Sequence, residues 1–186
     1  MLKELGIKYL ALLRGINVGG KNILPKKLLI QAFQDLGYSN ILTYIQSGNI
    51  LFRSKETDHN RHAKNIETIL SNRFSIQTRA VVYTETQYKS IVNKAPNNWG
   101  KDENYRHRIL FLLGVFSPLE IMEYLGDPTE EVETITLGSG VIYSSVSKKH
   151  VSKSVLRKFP LTPGYQQVTV RNHNTVFKII KLFENI

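Results

Sequence analysis

Short apolar runs alternate with helically spaced apolar residues along the first half of the chain. Continuous or alternating apolar runs of four to eight residues predict strands, and apolar residues at three- and four-residue spacing predict helices. The predicted elements are, in chain order, a strand at 7–13, a helix that begins at Pro25 and stops at Gly37, strands at 41–46 and 49–53, a helix from Asp58 and a strand at 76–83. This β-α-β-β-α-β order is that of a ferredoxin-like lobe.

The second half repeats this order of elements without a residue-level repeat. A capping box from Thr84 to Gln87 predicts a short helix before Pro96, and the polar stretch 96–104 predicts a linker. Beyond it we predict a strand at 107–116, a helix from Ser117 to a stop at Gly126, strands at 132–137 and 141–146, a helix at 150–159, a strand at 166–170 and a final helix from about 174. The chain is therefore predicted to be an α+β protein with two ferredoxin-like lobes and largely antiparallel sheets. The lobes are 1–95 and 105–186, the second with an extra terminal helix.

Composition narrows the chemistry. The 186 residues contain no cysteine, which excludes disulfides, thiolate nucleophiles and cysteine-ligated metal centres. The apolar run at 7–13 is too short to cross a bilayer and lacks a signal-peptide cleavage site. A cytoplasmic protein without membrane association is expected; the sequence does not indicate its oligomeric state.

Positive charge is concentrated in particular segments. The formal net charge is +10, of which residues 1–95 carry +8. In the second half, 118–134 holds six acids and no bases, whereas 148–158 holds five bases and no acids. Such segregation indicates a surface that attracts anions, nucleic acid included. A compositional bias toward lysine, asparagine and isoleucine is the alternative explanation.

Strand order places two polar segments at one edge of the first predicted sheet. In a ferredoxin-like sheet the first and third strands are adjacent and antiparallel, so the end of the first lies beside the turn that precedes the third. The candidate ligand-binding residues at this edge are Arg14, Asn17, Gly19, Gly20, Lys21, Gln46, Ser47 and Asn49. Alternatively, the polar turn residues only satisfy backbone groups.

The segment GINVGGK at 15–21 fits the phosphate-loop pattern G-x-x-x-x-G-K. That pattern continues with a serine or threonine that ligates magnesium, but Asn22 stands there, and the predicted sheet is not parallel. A nucleoside triphosphatase is therefore disfavoured. A simpler anion site at Lys21, Lys26 and Lys27 stays open, because loop N–H groups and a helix N-terminus attract anions; simple solvation of these lysines is the alternative.

No metal or cofactor site is predicted. His59 and His62 are three residues apart, but no further ligands lie nearby in the sequence, and an exposed first helical turn explains them. His107 and His150 are flanked by basic residues and are predicted to belong to the positive surface. No paired carboxylates or Ser/His/Asp pattern identifies a catalytic centre.

Three motifs carry a family resemblance. LLRGINVGGKN at 12–22, TYIQSGNILF at 43–52 and RNHNT at 171–175 resemble the bacterial domain-of-unknown-function 1697 family, nearly end to end. The resemblance implies the same two-lobed α+β architecture and no reaction. It carries over to Arg171, Asn172, Asn174 and Thr175, because the family usually has Arg-Asn-Trp-Asn-Thr here. Of these, Arg171, Asn172 and Asn174 are added to the candidate ligand-binding residues. His173 replaces that tryptophan, which questions any role that needs a large aromatic ring. From the residues alone, Asn172 or Asn174 can be a helix cap.

The leading functional hypothesis is a binder of a phosphorylated small molecule or nucleic acid on the basic edge of the first lobe. A metal-independent small-molecule enzyme that uses the same edge is one alternative. An assembly module whose sheet edges pair between subunits is the other.

Overall fold

The first half of the chain folds as the sequence predicts. In this computed structural model the described residues are 6–20, 22–45 and 48–186. The elements of the first half are β1 (Ile7–Leu13), α1 (Lys26–Asp35), β2 (Ser39–Tyr44), β3 (Asn49–Ser54), α2 (His59–Phe74) and β4 (Ala80–Thr84). The strands form a four-stranded antiparallel sheet in the order β2-β3-β1-β4. The predicted ferredoxin-like arrangement is confirmed.

Two helices pack on one face of this sheet and close an apolar core. In α1, Leu29, Ala32 and Phe33 are buried at helical spacing. The α2 helix begins after Asp58, whose side chain accepts hydrogen bonds from the N–H groups of Asn60 and Arg61. Because both helices direct apolar residues toward β1 and β3, these central strands are buried and their ends are held in fixed positions.

The second half forms another sheet of the same kind. Its elements are α3 (Glu85–Asn93), β5 (Tyr105–Leu112), α4 (Pro118–Leu125), β6 (Glu133–Gly138), β7 (Val141–Ser147), β8 (Val168–Asn172) and α5 (His173–Leu182). The sheet order is β6-β7-β5-β8, with antiparallel neighbours throughout. The antiparallel two-sheet α+β architecture is thereby confirmed. Among the described strands, neither sheet has the parallel pairs expected of a phosphate-loop enzyme.

The capping box predicted at Thr84 is present, and a second one stands at the predicted helix start, Ser117. Thr84 and Gln87 exchange hydrogen bonds between side chains and backbone N–H groups at 2.9 and 3.2 Å, which opens α3. Ser117 and Glu120 do the same at the start of α4, at 2.7 and 3.3 Å. Each pair satisfies two backbone donors that a helix start leaves without partners.

The helix predicted at 150–159 is wrong. The chain forms separate 3₁₀ turns there, at Val151–Lys153, Val155–Arg157, Phe159–Leu161 and Pro163–Gln167. Ser154 has extended backbone angles between the first two turns, and its hydroxyl accepts from the N–H of Leu156. Thr162, which precedes Pro163, is extended as well, because a proline disfavours helical angles in the residue before it. The break at Ser154 therefore divides the predicted helix into separate turns.

The chain divides into two compact units. The first unit comprises 1–89 and 179–186, and the second comprises 90–178. The terminal segment belongs to the first unit because Lys8 Nζ donates to Phe183 O at 2.6 Å and Arg53 Nη2 donates to Ile186 O at 3.0 Å. The stretch 96–104, predicted as a linker, lies within the second unit. Lobe boundaries at 95 and 105 stay a prediction.

Candidate functional site

The two segments predicted to share a sheet edge meet through their backbones. Leu13 N donates to Gly48 O at 2.8 Å, and Leu12 pairs with Asn49 in the register of β1 and β3. The end of β1 and the turn before β3 are therefore adjacent, as strand order requires. Lys21, Gln46 and Ser47 of the predicted site lie outside the described residues.

Gly48 is constrained by both its backbone angle and its surroundings. Its φ is +73°, and a Cβ at this position would lie 2.8 Å from Leu13 Cβ and 3.2 Å from Leu13 O. Any other residue would combine left-handed backbone strain with a steric clash against β1. The glycine is what lets the turn approach the strand so closely.

Replacing Gly48 with alanine should lower the free energy of unfolding by about 2 kcal/mol, since it adds left-handed strain and a clash. Urea denaturation followed by circular dichroism measures the change. The matched control is Gly19→Ala, whose φ is also positive at +58° but whose Cβ would have nothing within 4 Å. Equal losses in the two variants would show that the contact with Leu13 contributes nothing.

The loop that follows β1 is closed by two asparagine side chains. Asn17 Oδ1 accepts from Leu24 N at 2.7 Å and Asn17 Nδ2 donates to Leu24 O at 3.2 Å. Asn22 Nδ2 donates to Gly15 O at 3.0 Å. Both asparagines have positive φ, which this residue type tolerates better than most. The loop is thus a preformed structure in which Asn17 holds the entry to α1.

The remaining predicted residues of this edge have different surroundings. Asn49 is buried, with Nδ2 donating to Tyr44 O at 3.0 Å, so it braces the hairpin. Arg14 is half-buried, and its backbone N–H donates to Arg79 O at 2.9 Å, which joins the end of β1 to the residue that precedes β4. Gly19 and Gly20 are exposed with positive φ. Arg14 and the exposed glycines therefore border solvent, whereas Asn49 supports the turn.

A cavity of about 350 Å³ opens beside this loop. Its wall combines one amide, one ammonium and several apolar groups, contributed by Asn17, Ile23, Leu24, Pro25, Lys26, Leu29, Thr43 and Ile45. Of the described residues predicted for the site at this edge, only Asn17 lines it. Exposed isoleucines at 23 and 45, 70% and 53% accessible, were not identified from the sequence, because exposure of an apolar residue depends on the fold.

The N-terminus of α1 contributes to the same cavity. Pro25 precedes the helix without a side-chain cap, and the first turn contains no acidic residue. Lys26 and Lys27 are exposed there. Uncapped N–H groups and the helix dipole favour an anion at this end, and the two ammonium groups add to the attraction. We call Arg14, Asn17, Lys26 and Lys27 the rim.

The RNHNT motif at 171–175 belongs to the second unit, whereas the rim belongs to the first. Arg171 is buried, with Nη1 donating to Thr169 Oγ1 at 2.8 Å and to Val170 O at 2.9 Å. Asn172 Oδ1 accepts from Thr175 N at 2.9 Å, which caps α5 as one of the predicted explanations requires. Asn174 is exposed. Capping therefore explains Asn172 but not Asn174.

The predictions for His62 and His107 are wrong, because both rings are buried. His62 Nδ1 lies 2.7 Å from Tyr38 Oη, and Nε2 lies 3.1 Å from Glu56 O. His107 Nδ1 lies 2.8 Å from Ser145 Oγ, and Nε2 lies 2.9 Å from Asp102 O. A carbonyl oxygen only accepts, so Nε2 carries the proton of each neutral ring and Nδ1 accepts from the hydroxyl. Within the described ranges no cluster of three or more His, Asp or Glu side chains fits a metal ion.

His107 also lines a cavity of about 400 Å³ in the second unit. The other polar side chains in its wall include Asp102, Thr134, Thr136 and Ser145. Ser145 and His107 face each other across β7 and β5, and this pair has the spacing of a nucleophile and its base. The histidine is only 3% exposed, and both of its nitrogens are engaged within the unit. The two hydrogen bonds therefore satisfy both nitrogens of a buried ring, and this structural role accounts for the pair.

Comparisons with known proteins identify a family and a similar solved structure. In the part of the chain that the structure describes, no helix has the length and apolar content needed to cross a bilayer. No curated protein matches the sequence. The structure of conserved bacterial protein SP0830 from Streptococcus pneumoniae is similar, with a TM-score of 0.82 and 26% identity over 95% of this chain and 98% of that one. A family model described as protein of unknown function (DUF1697) matches residues 7–143. The chain therefore belongs to the DUF1697 family.

Proposed function

We propose that the first unit binds a phosphorylated ligand at the rim. The observation that carries this proposal is the cavity of about 350 Å³ with Lys26 in its wall, at a helix N-terminus that has no side-chain cap and no acid in its first turn. A cavity of this size accommodates a small molecule. Of the two ligand classes that the sequence indicates, the cavity favours a phosphorylated small molecule over a nucleic-acid duplex.

The start of α1, the apolar cavity wall and Asn17 have distinct contributions to such a ligand. The phosphate would lie at the start of α1, where backbone N–H groups and the ammonium groups of Lys26 and Lys27 attract a dianion. The remainder of the ligand would contact the apolar wall formed by Ile23, Leu29 and Ile45. Asn17 keeps the loop in shape through Leu24, so it positions the site and need not contact the phosphate.

Titration of the ¹⁵N-labelled protein with adenosine 5′-monophosphate tests the proposal. We expect amide shifts concentrated at Gly19, Gly20, Lys26 and Lys27. Adenosine without the phosphate should produce much smaller shifts at the same amides, because the anion supplies most of the attraction. Shifts of equal size with adenosine, or shifts spread over both units, would contradict the proposal.

Changing Lys26 to alanine should weaken adenosine 5′-monophosphate binding about tenfold, the effect of removing one charged hydrogen bond. Isothermal titration calorimetry measures the dissociation constant. The matched control is Lys64→Ala, which removes the same charge from an exposed position on α2. If the two variants bind equally well, the attraction comes from net charge and the rim is not a site.

A further inference from the structure

Two cavities of the second unit share a pair of arginines. One cavity, of about 490 Å³, is lined by Arg106, Arg108 and Arg157 with serine and apolar residues. The other, of about 460 Å³, is lined by the same Arg106 and Arg108 together with Lys148. The two concavities therefore adjoin along one strand, and four cationic side chains border them. We call Arg106, Arg108, Lys148 and Arg157 the arginine surface.

Arg106 and Arg108 lie close together on one strand, and among the described residues no acidic side chain pairs with either charge. They are two residues apart on β5, so both side chains leave the same face of the sheet. Among the described residues neither guanidinium has a hydrogen bond or an ion pair, although Arg108 is half-buried. Two guanidinium groups on neighbouring positions of one face repel each other, and an anion that contacts both would offset this repulsion through charge-assisted hydrogen bonds. The pair therefore has the features of a ligand site.

Arg157 is carried by a segment that the fold anchors firmly. The buried carboxylate of Glu133 accepts from Ser154 Oγ and, at 2.9 Å, from Val155 N. Arg157 Nη1 donates to Ser152 O at 3.2 Å, and its guanidinium has further donors for a ligand. Because Glu133 is engaged with Ser154 and Val155, it fixes the 3₁₀ turn beneath the arginine.

The surroundings favour a ligand with several phosphates. Among the described residues no carboxylate lines the cavity that contains Arg157, and Glu103 is the single acid in the wall of the other. The segment 148–158 adds three further lysines, Lys149, Lys153 and Lys158. A single phosphate would engage one or two of these cations, whereas an extended polyanion would engage all of them and release more counterions.

The second cavity also offers groups that suit unpaired bases. Tyr105 and His173 contribute rings, and Asn172 and Asn174 contribute amides, to a cavity wall that also includes Arg106 and Lys148. Tyr105 and Arg106 leave opposite faces of β5, so this cavity takes in both faces at the strand end. Single-stranded nucleic acid is recognised by rings for its bases and cations for its backbone. A duplex hides the base faces that these rings would contact.

We propose that the arginine surface, with the Tyr105 and His173 rings beside it, binds single-stranded nucleic acid. The site lies in the second unit and needs no phosphorylated ligand at the rim. It also gives Asn174 of the RNHNT motif a location in a ligand site, which helix capping does not.

Fluorescence anisotropy with a fluorescein-labelled oligo-dT of about 20 nucleotides tests this proposal, over a series of salt concentrations. The test protein is the full-length triple variant Arg106→Ala, Arg108→Ala, Arg157→Ala. The control is Lys64→Ala, Lys94→Ala, Lys181→Ala, which removes three charges from exposed positions outside the arginine surface. Both variants have the same formal net charge.

We expect the arginine variant to lose about 100-fold in affinity at low salt, and its salt slope to fall in magnitude by about 2, close to 0.7 per lost phosphate contact. The control variant should lose only a few-fold. Equal losses in the two variants would overturn the proposal, as would undetectable binding by the wild type at low salt. Tighter binding of a duplex than of oligo-dT would also overturn it.

Two single variants keep the test informative if the triple variant folds poorly. Arg106 is exposed and its guanidinium has no partner among the described residues, so Arg106→Ala should fold normally and lose about fivefold in affinity. Tyr105→Leu leaves the charge unchanged and should lose about tenfold, because one base loses its stacking ring. Unchanged affinity in both variants would refute the site.

Discussion

Replacing Trp99 with alanine should lower the free energy of unfolding of the second unit by about 3–5 kcal/mol, the range for removal of a large buried aromatic. Trp99 is 4% exposed, and the centroid of its ring lies 5.8 Å from the ring centroid of Phe177 and 6.2 Å from that of Tyr143. Its indole Nε1 donates to two carbonyl oxygens, Ser144 O at 3.2 Å and Arg108 O at 3.3 Å. Alanine would therefore create a cavity and also leave two carbonyl groups without this donor.

Urea denaturation followed by far-ultraviolet circular dichroism measures this loss. Trp99 is the only tryptophan, so intrinsic tryptophan fluorescence cannot report on the variant. Trp99→Phe is the matched variant, because it keeps most of the apolar volume and removes the N–H. We expect it to lose about 1–2 kcal/mol, roughly the value of the hydrogen bond and a small cavity. Losses below about 1 kcal/mol in Trp99→Ala would show that 96–104 behaves as the linker that its polar composition predicts.

The same residue shows where sequence reasoning ends. The segment around Trp99 is polar, and polarity with prolines and glycines is typical of a connection. Trp99 departs from this pattern, because it packs against residues 44 and 78 positions later in the chain, Tyr143 and Phe177. Pairings over such distances have no local signature, so the burial of Trp99 could be found only in the structure.

Local patterns were sufficient for most of the framework. The capping boxes at Thr84 and Ser117 involve residues three positions apart; the first was predicted as a capping box and the second as a helix start. The adjacency of β1 and β3 followed from the order of elements, since ferredoxin-like topology permits one arrangement. By contrast, the 3₁₀ turns after Ser147 combine local capping by Ser154 with a distant contact, because the Glu133 carboxylate on another strand accepts from Ser154 Oγ.

The candidate sites likewise combine features that the sequence predicts with features that only the structure shows. Strand order predicts that the end of β1 lies beside the turn before β3. The hydrogen bond from Leu13 N to Gly48 O agrees with this prediction. The cavity wall at Thr43 and Ile45 was not predicted, because which face of a strand end is open depends on packing. Arg106 and Arg108 alternate with other residues in β5, a pattern that indicates a strand but not a shared cavity.

Replacing His62 with alanine should lower the free energy of unfolding by about 3 kcal/mol near neutral pH, through lost ring packing and an unpaired Tyr38 hydroxyl. The His62 ring is fully buried and lies 4.6 Å from the Tyr9 ring and 5.4 Å from the Phe52 ring. Burial raises the pKa of Tyr38 to about 12, so its hydroxyl stays a donor to His62 Nδ1. The pair thus depends on a neutral histidine.

Burial also lowers the pKa of His62, although the Glu56 backbone, Glu56 and Asp58 oppose this change. Below about pH 6.5 the unfolded chain binds a proton at this histidine more readily than the folded one. The wild type should therefore lose stability as the pH falls below about 6.5, and the loss should stop once the folded ring is protonated too. The His62→Ala variant lacks this titration, so the stability difference between the two proteins should narrow as the pH falls.

Urea denaturation of both proteins between about pH 8 and pH 5 measures this narrowing directly. His59→Ala is the matched control, because it removes a neighbouring histidine that is not buried and leaves the His62 ring in place. Since His59 is one of the groups that lower the pKa of His62, this variant should keep the loss of stability at low pH with a smaller magnitude. A difference between wild type and His62→Ala that stays constant with pH would show that the buried ring does not titrate with folding, and that the variant's loss comes from packing alone. A difference that widens at low pH would mean that the folded environment favours the charged ring, against the effect of its burial among Tyr9, Tyr38 and Phe52.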